Sequence, residues 1–365
     1  MSAMIVKEFR QVRRDRRTLA MMIVLPVLLL VVLGYAASFD VKTITVAVAG
    51  RPQLLVADAL GAPFKVVDST SVPSAAWARE ELRDGHAEVA VVADAPRLRV
   101  YVDGSQLFTA KAALAALAGK RLVWPGPSGA ALPKPKVSVL YNPELKTSDI
   151  MVPGLCGVVL VFVGTIITSL GVVRERQSGT LEQLAVMPLK PRDVVLGKIV
   201  PYFGVAVVDL AIVLGVGIAV FGVPFHGSPF TFALGALLFL FVTLGFGVLI
   251  SSVSQNQGQA IQLAVMTLLP QILLSGLIFP LSSMVAGVRW IAYLLPLTYF
   301  TEISRGVMLR AEPIGALWQP FLFLALLGAV VVTGATLRFA AYLAPAGRGR
   351  ARAAAAPVQP QEAGA

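Results

Sequence analysis

The sequence predicts an α-helical polytopic membrane protein with an α/β domain inserted after its first membrane span. Three observations lead there. The 365-residue chain is 56% hydrophobic and only 14% charged, whereas soluble domains carry about 25% charge. Its mean hydropathy is +0.78. Six apolar runs, at residues 19–37, 152–173, 199–223, 229–250, 260–281 and 319–337, are each long enough to cross roughly 30 Å of hydrocarbon as a helix.

The net charge of +11 would point to nucleic acid in a soluble protein. In a membrane protein the position of each Lys and Arg matters first, because cytoplasmic loops concentrate them. Lys7, Arg10, Arg13, Arg14, Arg16 and Arg17 precede the first run. Arg174, Arg176, Lys190, Arg192 and Lys198 follow the second, and Arg338, Arg348, Arg350 and Arg352 follow the sixth. These fifteen face only Arg289, Arg305 and Arg310 in the short loops of the opposite side. Both termini are therefore expected in the cytoplasm and residues 38–150 outside; no nucleic-acid partner is expected. The first run reads as an uncleaved anchor, since it is longer than the apolar core of a signal peptide. Within residues 1–18, Ile5, Phe9 and Val12 recur at helical spacing among basic residues. That pattern fits an amphipathic helix in the headgroup plane; a plain basic tail fits it equally.

Residues 38–150 read as an α/β unit. ITVAVAG from Ile44, FKVVDS from Phe64, AEVAVVA from Ala87, RLRVYVDGS from Arg97 and the run from Lys136 to Tyr141 are β-branched segments bounded by turn residues. Ser74 is a candidate N-cap for a helix to Asp84, and Ser105 for one to about Lys120. Alternating strands and helices imply a parallel or mixed sheet. His86 and His226 are the chain's two histidines and Cys156 its one cysteine. No intrachain disulfide is possible, no metal site is expected, and no nucleophile–base set is visible. The tail from residue 344 is low in complexity and expected to be disordered.

Between the second and third runs, Ser178-Gly179 permits a sharp turn. Thr180 with Gln183 fits a capping box, and Pro188 would stop a short helix lying across the membrane surface. Pro191 then suits the start of the next helix. In the third run Asp209 is an intramembrane carboxylate, and so a candidate for the transport path or a subunit interface. Gln255, Gln259 and Gln262 are expected on one face of the fifth span, bonding to neighbouring helices, and Gln259 and Gln262 join Asp209 as candidates for the transport path or a subunit interface. Pro270 and Pro280 are expected to kink or break that span. The polar stretch 282–310, with Trp290, Tyr293 and Tyr299, reads as re-entrant or surface-lying helices on the outer side.

The segment RERQSGTLEQLAVMPLKPRDVVLGKIVPY resembles the signature of type-2 ABC exporter permeases, E-R-x-x-G-T-x-E-x-L-x-x-x-P followed by L-G-K. NPELKTSDIMVPGL from Asn142 resembles the return from a large external domain in one subgroup. SGLIFPLSSM from Ser275 resembles the broken end of the fifth span, and KEFRQVRRDRRTLAMMIVLPVLLL the elbow helix and first span. The resemblance covers the chain to about Leu343 and is most specific at the first segment. It implies a homodimer or heterodimer of six-span subunits in a bacterial inner membrane, docked on two ATPase subunits. It also implies outward movement of a hydrophobic or amphipathic substrate and leaves room for a periplasmic adaptor. Residues 179–187 would be the coupling helix, with Glu175, Arg176, Gly179, Thr180 and Glu182 at its motif positions. ATP and Mg would be bound by the partner, because Gly197-Lys198 is followed by Ile199 and forms no phosphate loop. The competing reading is an ATP-independent transporter or an assembly scaffold with an external binding domain.

Overall fold

The computed structural model describes residues 41, 43–50, 60–94, 97–118, 135–178 and 191–343, with residues 176, 191–198 and 339–343 described as backbone. The first apolar run, the elbow segment, the C-terminal tail and positions Gly179, Thr180 and Glu182 lie outside the described residues.

Five strands form one mixed sheet: β1 (Ile44–Gly50), β2 (Phe64–Thr70), β3 (Val89–Asp94), β4 (Arg97–Asp103) and β5 (Lys136–Leu140), in the order β2-β1-β3-β4-β5. β1 runs parallel to β2 and β3, β3 antiparallel to β4, and β4 parallel to β5. Two helices, α1 (Ala75–Arg83) and α2 (Leu107–Ala118), cover its faces. The period-2 alternation of the strands sorts side chains by size. Ile44, Val46, Val48, Val89, Val91, Val100 and Val102 pack with Ala110, Ala113 and Leu117 of α2. Ala47, Ala49, Ala90 and Val92 meet Ala78 and Leu82 of α1. Small residues on that face leave room for Trp77 and Tyr141 beside them.

Ser74 does cap α1: its Oγ accepts from the Trp77 N–H at 3.2 Å. The other end of α1 is closed by a left-handed glycine. Gly85, at φ +72°, donates to the Leu82 carbonyl, and His86 N–H reaches back to the Glu81 carbonyl. That double return is the Schellman arrangement, which a residue with a Cβ enters at a penalty. Ser105 behaves otherwise than expected. Helix α2 begins at Leu107; the Ser105 N–H donates to Asp103 Oδ1 at 2.9 Å, while its hydroxyl has no partner among the described residues.

The remainder is helical. α3 (Thr147–Phe162) passes through a π-turn (Val163–Ile167) into α4 (Thr168–Gln177), and α5 (Pro191–Ala219), α6 (Pro229–Val253), α7 (Gln257–Leu274), α8 (Ala286–Ala292), α9 (Pro296–Met308) and α10 (Trp318–Leu343) follow. Among the described residues, four stretches are long and apolar enough to cross a membrane: Thr147–Glu175, Ile199–Ala219, Pro229–Val253 and Trp318–Arg338. α5 does begin at Pro191, whose missing N–H costs nothing in a first turn. At the π-turn α3 and α6 approach closely. A Cβ at Gly247 would stand 2.9 Å from the Gly164 carbonyl oxygen, so only a small residue fits there.

Helix α7 departs from the fifth-span expectation. It spans 18 residues, or about 27 Å, and is continuous through Pro270. It stops at Ser275 because Gly276 turns left-handed at φ +80°, before Pro280 is reached. α9 is enclosed rather than surface-lying. Leu297, Phe300, Ile303, Val307 and Met308 are fully buried, and the Phe300 ring stacks on Phe239 at 4.4 Å. By contrast α5 and α10 turn Val205, Val208, Ile212, Phe323, Leu326 and Val330 outward. Continuous apolar faces of this kind fit contact with lipid.

Candidate functional site

The two ends of the helical bundle carry different chemistry. At one end α4 finishes with Arg174, Glu175, Arg176 and Gln177. The Ser178 N–H donates to the Arg174 carbonyl and its hydroxyl to the Glu175 carbonyl, both at 3.0 Å. Gln257 Nε2, at the start of α7, donates to Gln177 Oε1 at 2.8 Å, which ties the turn between α6 and α7 to this end. Glu175 is half-buried. Of the five expected coupling residues, Glu175 and Arg176 thus belong to α4, and the other three lie outside the described residues.

The polar groups expected inside the bundle do not form one cluster. Asp209 sits at the centre of the apolar stretch Ile199–Ala219. It lies between buried Ala206 and Leu210 on one side and exposed Val205, Val208 and Ile212 on the other. Its Oδ2 is shielded and has no hydrogen-bond partner among the described residues. Gln255 precedes α7, so the three glutamines share no helical face. Gln259 Oε1 instead accepts from the Gln255 N–H at 3.0 Å, and Gln259 N–H donates to the capping Asn256 side chain at 2.9 Å. Those bonds close the turn locally because α7 starts two residues later than Gln255. The bond between helices is made by Gln257. Gln262 is half-buried.

At the opposite end the sheet meets the bundle through ions. Arg310, just beyond α9, is 7% exposed. Its Nη2 donates to Glu312 Oε2 at 2.6 Å, and its Nη1 lies 3.5 Å from Asp103 Oδ2 at the end of β4. Gly85 packs against the same guanidinium. Burial lowers the Arg310 pKa, but the Glu312 and Asp103 carboxylates more than offset it and hold the pKa above its ordinary value. Burial pushes Glu312 up, against the pull of Arg310. Burial likewise raises Glu88, and lifts Tyr141 to about 12.

Arg305, one turn earlier on α9, staples three segments. Its Nε donates to the Ile150 carbonyl at 3.3 Å, Nη1 to Gly276 at 3.2 Å and Nη2 to Leu277 at 3.3 Å. The loop that follows the left-handed stop of α7 is thereby pinned to α9 through its Gly276 and Leu277 carbonyls. Beside these arginines lies a cavity of about 430 Å³, walled by the sheet domain on one side and α9, α10 and the loop after α7 on the other. None of this was singled out in the sequence, where Arg305 and Arg310 counted only as outer-side charges. The one available signal was three ions, Arg305, Arg310 and Glu312, within eight residues of a nearly apolar half-chain.

A sheet domain at one end of a bundle of membrane-crossing helices, with a basic turn at the other, defines a polytopic membrane protein. The family model described as "ABC-2 family transporter protein" matches residues 16–337, and the chain belongs to that family. It is 29% identical over 336 residues to the "Probable multidrug ABC transporter permease YbhS" of Escherichia coli (strain K12), covering 85% of this chain and 88% of that one. To the "Probable multidrug ABC transporter permease YbhR" of the same strain it is 35% identical over 192 residues, covering 51% of this chain and 52% of the other. A similarity of 28% over 173 residues extends to "ABC transporter G family member 20" of Dictyostelium discoideum, covering 47% of this chain and 24% of that one.

Proposed function

We propose that this chain is the membrane-spanning permease subunit of an ATP-driven exporter whose ATPase is a separate polypeptide. It moves a hydrophobic or amphipathic substrate outward across a bacterial inner membrane. It works as a homodimer or heterodimer of six-span subunits, with both termini in the cytoplasm. The run at residues 19–37 supplies the first span, α7 the fifth, and an elbow helix precedes them. One observation carries the reading: the sheet domain and the end of α4 that bears Glu175 and Arg176 lie at opposite ends of one bundle. The segment joins the end of α4 to the start of α5, and the Gln257–Gln177 bond brings the next turn beside it. With the basic residues taken as cytoplasmic, the sheet domain is external and the segment faces a soluble ATPase. A short helix there, starting at Thr180, transmits ATP-driven closure of the ATPase pair to α4 and α5.

The test is Glu182→Ala and Thr180→Pro in the reconstituted complex, with ATPase stimulation and export read at matched membrane levels. Loss of a desolvated charged contact costs about 2–5 kcal/mol of docking, a rim contact far less. The proline restricts the backbone at the helix start and removes the hydroxyl cap. Reduced docking or hydrolysis uncoupled from export is expected. Wild-type assembly, hydrolysis and export in both variants would remove this segment from the coupling role.

A further inference from the structure

The cavity between sheet and bundle contains an unusual imbalance of partners. Two arginines line it, yet both are committed. Arg305 gives its three nitrogens to backbone carbonyls, and Arg310 is held by Glu312 and Asp103. Glu88 accepts from Thr45 N–H at 2.8 Å, and His86 faces Glu81 at 3.4 Å. Glu302, on α9, is different. It lines the cavity, is open to it, and has neither a hydrogen bond nor an ion pair among the described residues. Three hydroxyls in the same lining, Ser105, Ser275 and Thr301, are at most 2% exposed and have no partner among the described residues. Buried polar atoms of this kind are ordinarily satisfied. Apolar and aromatic walls, among them Leu281, Phe108 and Trp318, complete the space.

We propose that this cavity binds a primary ammonium carried on an apolar body, with the Glu302 carboxylate as its charge partner. An anion would face four carboxylates in the lining, Asp84, Glu88, Glu302 and Glu312, against two guanidiniums, and the one unbonded guanidinium nitrogen, Arg310 Nε, is shielded. A neutral apolar molecule would leave Glu302 unanswered. A primary ammonium brings N–H donors to the carboxylate, while a quaternary one has none. Aromatic walls add attraction for the cation, and a volume of about 430 Å³ falls within the usual range for small-molecule sites. The role of such a ligand as cargo rests on the permease reading, but its binding does not, because no ATPase takes part.

The full chain in lipid nanodiscs of phosphatidylcholine and phosphatidylglycerol is titrated with radiolabelled n-octylammonium, with E302Q in identical discs reporting lipid partition. Saturable binding near one per chain is expected, weakened at least about tenfold in E302Q, the scale of a charge-assisted hydrogen bond. E302D stays within a few-fold of wild type. n-Octyltrimethylammonium, n-octanol and octanoate compete at least tenfold less well than n-octylammonium. Adding phosphatidylethanolamine separates two sources of the same group. A lower octylammonium affinity identifies the lipid headgroup as an occupant and an unchanged one a soluble amine, and either supports the ammonium site. Wild-type affinity in a folded E302Q would overturn the proposal. If E302Q does not fold, the headgroup series decides, and octanol or octanoate competing as well as octylammonium overturns it. The coupling variants fail or succeed independently of this outcome.

Discussion

Replacing Arg310 by Met removes the cation from between two buried carboxylates while keeping most of the side-chain volume. Asp103 is 2% and Glu312 4% exposed, so neither gains water when its partner is lost. Arg310 gives Glu312 a 2.6 Å bond and Asp103 a 3.5 Å ion pair. Breaking a buried pair by deleting one member costs about 3–5 kcal/mol, which is about two to three and a half powers of ten in the population of an undocked sheet domain. Hydrogen exchange in full-length protein reads it directly, on peptides covering β4 and the loop from α9 to α10. The defect has a defined pH sign. Burial already holds the Glu312 carboxyl above its ordinary value, with Arg310 opposing the rise. Without Arg310 it rises further, so the native state binds more protons than the unfolded one. Stability then falls as pH increases through the folded value, and the R310M defect is larger at about pH 8 than at about pH 5. Adding D103N and E312Q removes the stranded charges and recovers more than half the loss. Equal exchange in R310M and wild type at the higher pH would refute the reasoning. So would an R310M defect that the two amides do not relieve.

Three further expectations follow from single contacts. Arg305→Lys loses the planar fork that reaches three carbonyls and lowers stability by about 1.5–3 kcal/mol; thermal unfolding and exchange at the loop after α7 report it. Ser74→Ala removes the α1 cap and costs about 1 kcal/mol, seen as faster exchange in the first turn of α1 with the bundle unaffected. Gly247→Val forces a side chain against the Gly164 carbonyl and costs about 1–3 kcal/mol, measured as a lower unfolding temperature, whereas Gly204→Ala, with open space around it, is close to neutral.

Much of this architecture is legible in the sequence, because two local periodicities carry it. β-Branched alternation marked all five strands of the sheet to within two residues, and hydropathy marked the four long apolar helices. The Ser74 cap and the Pro191 helix start were equally local, since each depends on atoms within one turn. The sequence likewise supplied the E-R-x-x-G-T-x-E segment, a pattern of adjacent residues. What it could not decide depends on atoms far apart in the chain. Whether the α9 part of stretch 282–310 lay on the surface or inside turned on the Phe300–Phe239 stack, while the α8 part keeps Trp290 exposed. The grouping of Gln255 with Gln259 failed because the Asn256 cap set where α7 begins. Arg305 and Arg310 read as outer-side charges until tertiary structure brought Ile150, Gly276, Leu277 and Asp103 to them. A buried charge is defined by its partners, and those partners come from segments up to 207 residues away in sequence. Composition and periodicity carry no record of that pairing, so only the folded chain settles where its polar chemistry is concentrated.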